Sequence, residues 1–178
     1  MLKQSAPRLL VALLLALASA CASSRNLDSS VSDIGADSEL KAVLFADRKH
    51  DYSDVDLTVF EGRLLLTGTM RSEDGRQRLV ENAWKAGGVK QVIDEVVVGG
   101  RTSIGQGFED SRIEASLRTK LVFDGGVRSG NFKIAVSKGV VYLLGATISE
   151  RSLSEAIELA RTTGGVEKVV SHVLIKAP

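Results

Sequence analysis

Gly87-Gly88-Val89-Lys90-Gln91-Val92 returns 77 residues later as Gly164-Gly165-Val166-Glu167-Lys168-Val169. The same offset carries Leu40 onto Leu117, Gly62 onto Gly139, Leu66 onto Leu143, Gly68 onto Gly145 and Val96 onto Val173. No gap is needed across residues 36–98 against 113–175. Glycine is kept where the backbone needs positive φ or close approach, so matched glycines mean shared turns. Matched apolar positions mean a shared core. The chain is one small domain written twice.

Within one copy the apolar spacing changes in a fixed order. Leu40, Val43 and Leu44 fall at helical intervals, as do Ile113, Leu117 and Leu121 in the second copy. Val55-Asp56-Leu57-Thr58-Val59-Phe60 then alternates as a half-buried strand does, and so does Asn131-Phe132-Lys133-Ile134-Ala135-Val136. Glu61-Gly62 and Lys138-Gly139 stand where a two-residue hairpin turn belongs. Residues 63–68 and 140–145 make the return strand. Ser72-Glu73 and Ser149-Glu150 then cap a second helix carrying Leu79, Val80 and Ala83, or Ile157 and Ala160. The Gly-Gly pair ends that helix, and an apolar strand closes each copy, over 92–98 and 169–175. The expectation is an α+β fold of two α-β-β-α-β modules, each with two helices on one face of a three-stranded mixed sheet.

A strand, a polar-Gly turn, a second strand closing in Leu-x-Gly and a late Gly-Val-x-x-Val before a terminal strand resemble the BON (bacterial OsmY and nodulation) domain. The second copy matches best, from Asn131-Phe132-Lys133-Ile134 through Gly139-x-Val141-x-Leu143-x-Gly145; the first has Leu64 where the second has Val141. Two such domains behind a lipoprotein-type leader resemble the dual-BON-domain outer-membrane lipoproteins. That resemblance implies phospholipid binding and a part in envelope integrity.

Lys3 and Arg8 precede the apolar run 9–18, and Ser19-Ala20-Cys21 follows. Basic charge, a short apolar segment and small residues mark a secretory signal over 1–20, too short to be expected to span a bilayer. Cys21 is the chain's only cysteine, so it has no internal disulfide partner. The leader resembles lipoprotein signals, which implies acylation at Cys21. The Ser- and Asp-rich stretch 21–35 reads as a lipidated flexible tether. Ala22 after the cysteine, by the same resemblance, implies the outer membrane, with the protein facing the periplasm. Residues 36–98 and 110–178 are the two domains, and the Gly-rich stretch 99–109 is the linker, its glycines expected to prevent a continuous helix. Modules this small have marginal cores, so the two are expected to pack together.

Composition excludes some functions. The chain has 23 Lys and Arg against 22 Asp and Glu, too balanced for a nucleic-acid binder. Residues 36–98 hold nine basic and twelve acidic side chains, and 110–178 hold ten and seven. The second module is the one suited to an anionic surface. His50 and His172 fall at non-equivalent places, so no metal pair is expected. Gly-Gly-Val follows a helix and precedes a strand, the wrong order for phosphate at a helix N-terminus. With no nucleophile, metal set or cofactor loop, no enzyme and no cofactor are expected.

The candidate lipid-facing residues are Arg112, Arg118, Lys120, Val122, Phe123 and Arg128, on and after the first helix of the second module. Basic side chains near an anionic bilayer contribute about 1 kcal/mol each, and Val122 or Phe123 could enter between headgroups. The bland alternative pairs Arg118 with Glu114 across one helical turn. Trp84 is the candidate module–module contact. The functional expectation is a non-enzymatic lipoprotein binding anionic phospholipid through the second module. The alternative is a protein-interaction adaptor for an envelope or cell-wall assembly, which Asp51, Asp54 and Asp56 favour.

Overall fold

The two hairpins fold alike because their turns demand the same backbone. Glu61 and Gly62 have φ of 52° and 77°, and Lys138 and Gly139 have 51° and 74°. Positive φ at both central positions is the type I′ turn, whose twist suits two antiparallel strands. A non-glycine residue there costs about 1–2 kcal/mol. In the second module Asp110 offsets that cost, its carboxylate accepting from the amides of Lys138 at 2.8 Å and Gly139 at 2.9 Å.

The structure is a computed structural model that describes residues 35, 38–44, 47 and 49–177. The signal over 1–20, Cys21 and nearly all of the tether lie outside the described residues. Residues 38–44 are helical (α1). Strands β1 (Val55–Phe60) and β2 (Arg63–Met70), helix α2 (Glu73–Ala83), and strands β3 (Gln91–Asp94) and β4 (Val97–Val98) complete the first module. Helix α3 (Ile104–Phe123), strands β5 (Phe132–Ser137) and β6 (Val140–Thr147), helix α4 (Glu150–Arg161) and strand β7 (Lys168–Ile175) make the second. In each module the return strand is central: β2 pairs antiparallel with β1 and parallel with β3 and β4, as β6 does with β5 and β7. The registers coincide under the 77-residue offset, Val55 opposite Gly68 matching Phe132 opposite Gly145. A Cβ on Gly68 or Gly145 would come within 2.0 or 2.1 Å of the carbonyl oxygen of Asp54 or Asn131. This close approach accounts for Leu-x-Gly in both copies.

The two copies differ where the last strand runs. The sequence leads one to expect an unbroken strand over 92–98; it is broken, because the Asp94 carboxylate accepts from the Val96 amide at 3.1 Å and from Arg76 Nε at 2.8 Å. In the second copy Ser171 accepts from the Val173 amide at a longer 3.4 Å, Leu153 stands at the place of Arg76, and β7 runs through. The expected glycine-rich linker over 99–109 is helical in its second half. Helix α3 starts at Ile104 and passes through Gly105 and Gly107. Each helical glycine costs about 1 kcal/mol against alanine, but Ser103 caps the helix by accepting from the Gln106 amide and Gln106 Nε2 donates to Asp110 at 2.9 Å. Ser72 and Ser149 cap α2 and α4 as expected.

Helices cover one face of each sheet. Leu40, Leu64, Leu66, Met70 and Leu79 form one core beneath α1 and α2. Ile113, Leu117, Leu121, Val141 and Leu143 form the other beneath α3 and α4. The opposite faces pack on each other through Phe60, Leu65, Ala135, Tyr142, Leu144 and Ala146. The result is a four-layer α/β/β/α sandwich, and every residue of β2 is buried because both its faces are covered. This sheet pair makes the module contact; Trp84 does not. Trp84 ends α2 and is 54% exposed, because its turn lies beyond the helix-covered core, away from the sheet interface.

Polar groups fix the two layers. Arg63, buried and with its pKa lowered by lost solvation, donates to the Gly145 carbonyl at 3.1 Å and to Gln91 Oε1 at 2.8 Å. Lys176 Nζ meets Glu61 at 2.7 Å, and His172 Nε2 meets Glu95 Oε1 at 2.8 Å. The connection is held as well: Arg101 reaches Asp54, and Thr102 Oγ1 meets Thr69 Oγ1 at 3.0 Å.

Candidate membrane-facing site

Helix α3 is apolar on two opposite sides. Ile113, Leu117 and Leu121 are buried in the module core. Ile104, Phe108, Ser111, Ala115, Thr119 and Val122 recur at steps of four, three, four, four and three, which keeps them on one outward stripe. Ile104 is 95% exposed, Phe108 71%, Val122 59% and the adjoining Phe123 84%. The residues between are small or hydroxylic and exposed. A surface helix ordinarily turns polar residues outward; here large apolar side chains stand in water at both ends.

The cationic candidates divide. Arg112 pairs with Glu109 at 2.9 Å and Arg118 with Glu114, each within one helical turn. These exposed pairs are worth about 0–1 kcal/mol, so either arginine can exchange its carboxylate for a phosphate at little cost. Arg128, after the helix, is exposed. Lys120 is turned the other way, donating to the Thr162 carbonyl at 2.9 Å and to Thr163 Oγ1 at 3.1 Å at the end of α4. The structure thus brings Arg112, Arg118, Val122, Phe123 and Arg128 to the outward side and end of α3, and separates Lys120 from them. Ile104 and Phe108 join the set, although the sequence placed them in the linker. Their four-residue step, continued by 111 and 115, was the available signal, and the neighbouring glycines masked it.

A second polar cluster lies in the first module. His50 joins Asp47 at 3.0 Å and Asp74 at 2.9 Å, and Tyr52 donates to Asp47 at 2.7 Å. The hydrogen bond from His50, then that from Tyr52, holds the Asp47 carboxyl well below the usual carboxylate range. Asp47 and Asp74 in turn raise His50, and burial, then Asp47, raises Tyr52. This network fastens the loop before β1 to α2. Among the described residues no group of three or more His, Cys, Asp or Glu is arranged to hold a metal ion, and no helix is long and apolar enough to cross a membrane.

The chain is thus a tandem α-β-β-α-β sandwich with one helix apolar on two sides. Residues 32–100 and 109–177 each match the BON domain, and the chain belongs to the BON-domain family. It is similar to an uncharacterized protein in the gshII 5′ region of Anaplasma centrale, 35% identical over 126 residues, covering 70% of this chain and 83% of that one. It is 28% identical to the outer membrane lipoprotein DolP of Haemophilus influenzae over 116 residues, 65% of this chain and 60% of DolP. It is also 28% identical to a 21 kDa hemolysin of Actinobacillus pleuropneumoniae over 119 residues, 67% of this chain and 61% of that protein. The chain therefore spans about three fifths of the length of these last two relatives.

Proposed function

We propose that this is a non-enzymatic envelope lipoprotein, anchored through acylated Cys21 at the periplasmic face of the outer membrane, whose second module contacts anionic phospholipid through the outward side of α3. The observation that carries this reading is the exposure of Ile104, Phe108, Val122 and Phe123 beside Arg112, Arg118 and Arg128. Apolar side chains reach below the headgroups while arginines meet the phosphates. About 1 kcal/mol per cation makes a weak contact, sufficient once an acyl anchor has raised the local concentration. The similarity to an outer membrane lipoprotein supports the location. So does the leader.

The test is co-sedimentation of residues 22–178 with vesicles of neutral and of anionic phospholipid at low and moderate salt. Binding to anionic vesicles that weakens with salt is expected. Combining Phe123→Ser with Arg118→Glu should reduce it about tenfold while leaving thermal unfolding unchanged. Equal sedimentation of this variant and the parent would remove α3 from the proposal.

A further inference from the structure

A cleft of about 1290 Å³ opens on the side of the sandwich where β1 and β5 form the outer strands. It exceeds the roughly 300–1,000 Å³ of ordinary small-molecule pockets. Its walls include the consecutive residues 56–59 of β1 and 133–137 of β5, with the first half of α3 across from them. Side chains alternate between the two faces of a strand, so a cavity lined by consecutive residues looks onto the strand's edge.

The edge of β1 is open. Phe60 opposite Arg63 closes a two-residue hairpin, and the Thr69 amide donates to the Asp54 carbonyl at 2.9 Å. By the alternation of an antiparallel ladder, Asp54, Asp56, Thr58 and Phe60 bond to β2, so the backbone groups of Leu57 and Val59 point outward. Among the described residues nothing bonds to those outward groups.

The charge beside this edge is unequal in its engagement. Asp54 holds Arg101 and the Thr102 amide, Asp110 holds the turn at Lys138 and Gly139, and Glu114 holds Arg118. Among the described residues no hydrogen bond or ion pair reaches the carboxylate of Asp56. Its pKa is raised by lost solvation first, and then by Glu114 and, after the opposing pull of Lys41, by Asp110 and Asp54. A cation delivered here would meet a carboxylate that Lys41 attracts from the cleft wall but that no hydrogen bond or ion pair of the described residues engages.

We propose that the cleft takes an extended segment of a partner protein, which adds as a strand to the open edge of β1 and places a lysine or arginine against Asp56. Backbone bonding to Leu57 and Val59 supplies affinity, and Asp56 selects the basic side chain. About four residues of peptide, roughly 13 Å, match the exposed length of β1. The cleft shares Ile104, Ser111 and Arg118 with the outward side of α3, so peptide and lipid meet at the border of the two surfaces, and it gives the adaptor reading a defined place.

The experiment titrates the protein with labelled pentapeptides: Thr-Val-Lys-Val-Thr, its Glu counterpart, and the Lys peptide N-methylated at both valines. Amide shifts of Leu57 and Val59 are followed by NMR. The Lys peptide should bind and shift these amides, the Glu peptide should bind at least tenfold more weakly, and the methylated peptide should not bind. Asp56→Asn, nearly isosteric and at a side chain without hydrogen bonds among the described residues, should keep the fold and reduce the Lys-over-Glu preference to less than threefold. Equal binding of the Lys and Glu peptides, binding that survives methylation, or no binding at millimolar concentration would each overturn the proposal. So would concentration-dependent loss of the same amides without peptide, which would give the cleft to a second copy of the chain.

Discussion

The central strands of the two modules occupy equivalent places and bring different chemistry to the same interface. On β2 the inward positions are Arg63, Leu65, Thr67 and Thr69; on β6 they are Val140, Tyr142, Leu144 and Ala146. Backbone register and helix packing are alike, yet the second module supplies most of the apolar surface between the sheets and the first most of the polar groups. Three of the four first-module side chains are accommodated: Arg63 bonds across the interface, Leu65 packs in it and Thr69 meets the linker. Thr67 is fully buried with its hydroxyl unpartnered among the described residues. A repeated fold preserves backbone geometry more strictly than it preserves what each face carries.

The largest expected effect comes from removing the second module's share. Leu144→Ala deletes a fully buried side chain at the sheet interface and should cost about 2–5 kcal/mol. Urea unfolding should change from one transition to two as the modules uncouple; a single transition with unchanged midpoint would contradict the interface described. Next, Asp110→Ala should cost about 1.5–3 kcal/mol, since charge-assisted bonds to two amides are lost. Hydrogen exchange should speed up at Lys138 and Gly139 and stay as it was at Glu61 and Gly62. Equal acceleration at both turns would show that Asp110 does not act on its own turn alone.

A smaller gain is expected from making the copies more alike. Thr67→Val replaces an unpartnered buried hydroxyl by a methyl and should raise stability by about 1 kcal/mol, read as a higher urea midpoint. The smallest effect concerns pH and only the first module, because the place of His50 is taken in the second by buried Val127. His50 has a raised pKa, so its contribution is complete below its ordinary 6.5 and fades as pH rises through the raised value. Asp47 and Asp74 have lowered values, so theirs is complete above 3.8 and fades as pH falls through them. Exchange protection at 49–54 should be greatest between those limits, and His50→Gln should flatten the upper fall.

What was legible in the sequence is local. Hairpin turns, serine caps and the glycine at each Leu-x-Gly are set by residues within a few positions of one another, and both copies repeat them. The sheet-on-sheet contact is long-range, but it left a trace: Leu64-Leu65-Leu66 and 140–144 are apolar at every position, which a strand covered on both faces requires. Trp84 drew attention as a large lone aromatic, while the contact was made by smaller side chains on alternating positions. In the candidate site, Val122, Phe123, Arg112 and Arg118 were readable from helical spacing. Ile104 and Phe108 were hidden behind glycine-rich composition. The direction of Lys120 depended on carbonyl and hydroxyl partners 42 and 43 residues away.

Glu95 and His172, joined at 2.8 Å, are 77 residues apart and so are the same position in the two copies. Leu65 and Tyr142 in the interlayer cluster are related in the same way, and β1 lies beside β5, its own counterpart. A position can touch its duplicate only near an axis of two-fold rotation. The tandem thus has the geometry of a symmetric pair of single-module chains, joined end to start. With both halves on one chain, substitution on one side no longer imposes the same change on the other. That freedom permits Glu95 to face a histidine rather than another glutamate.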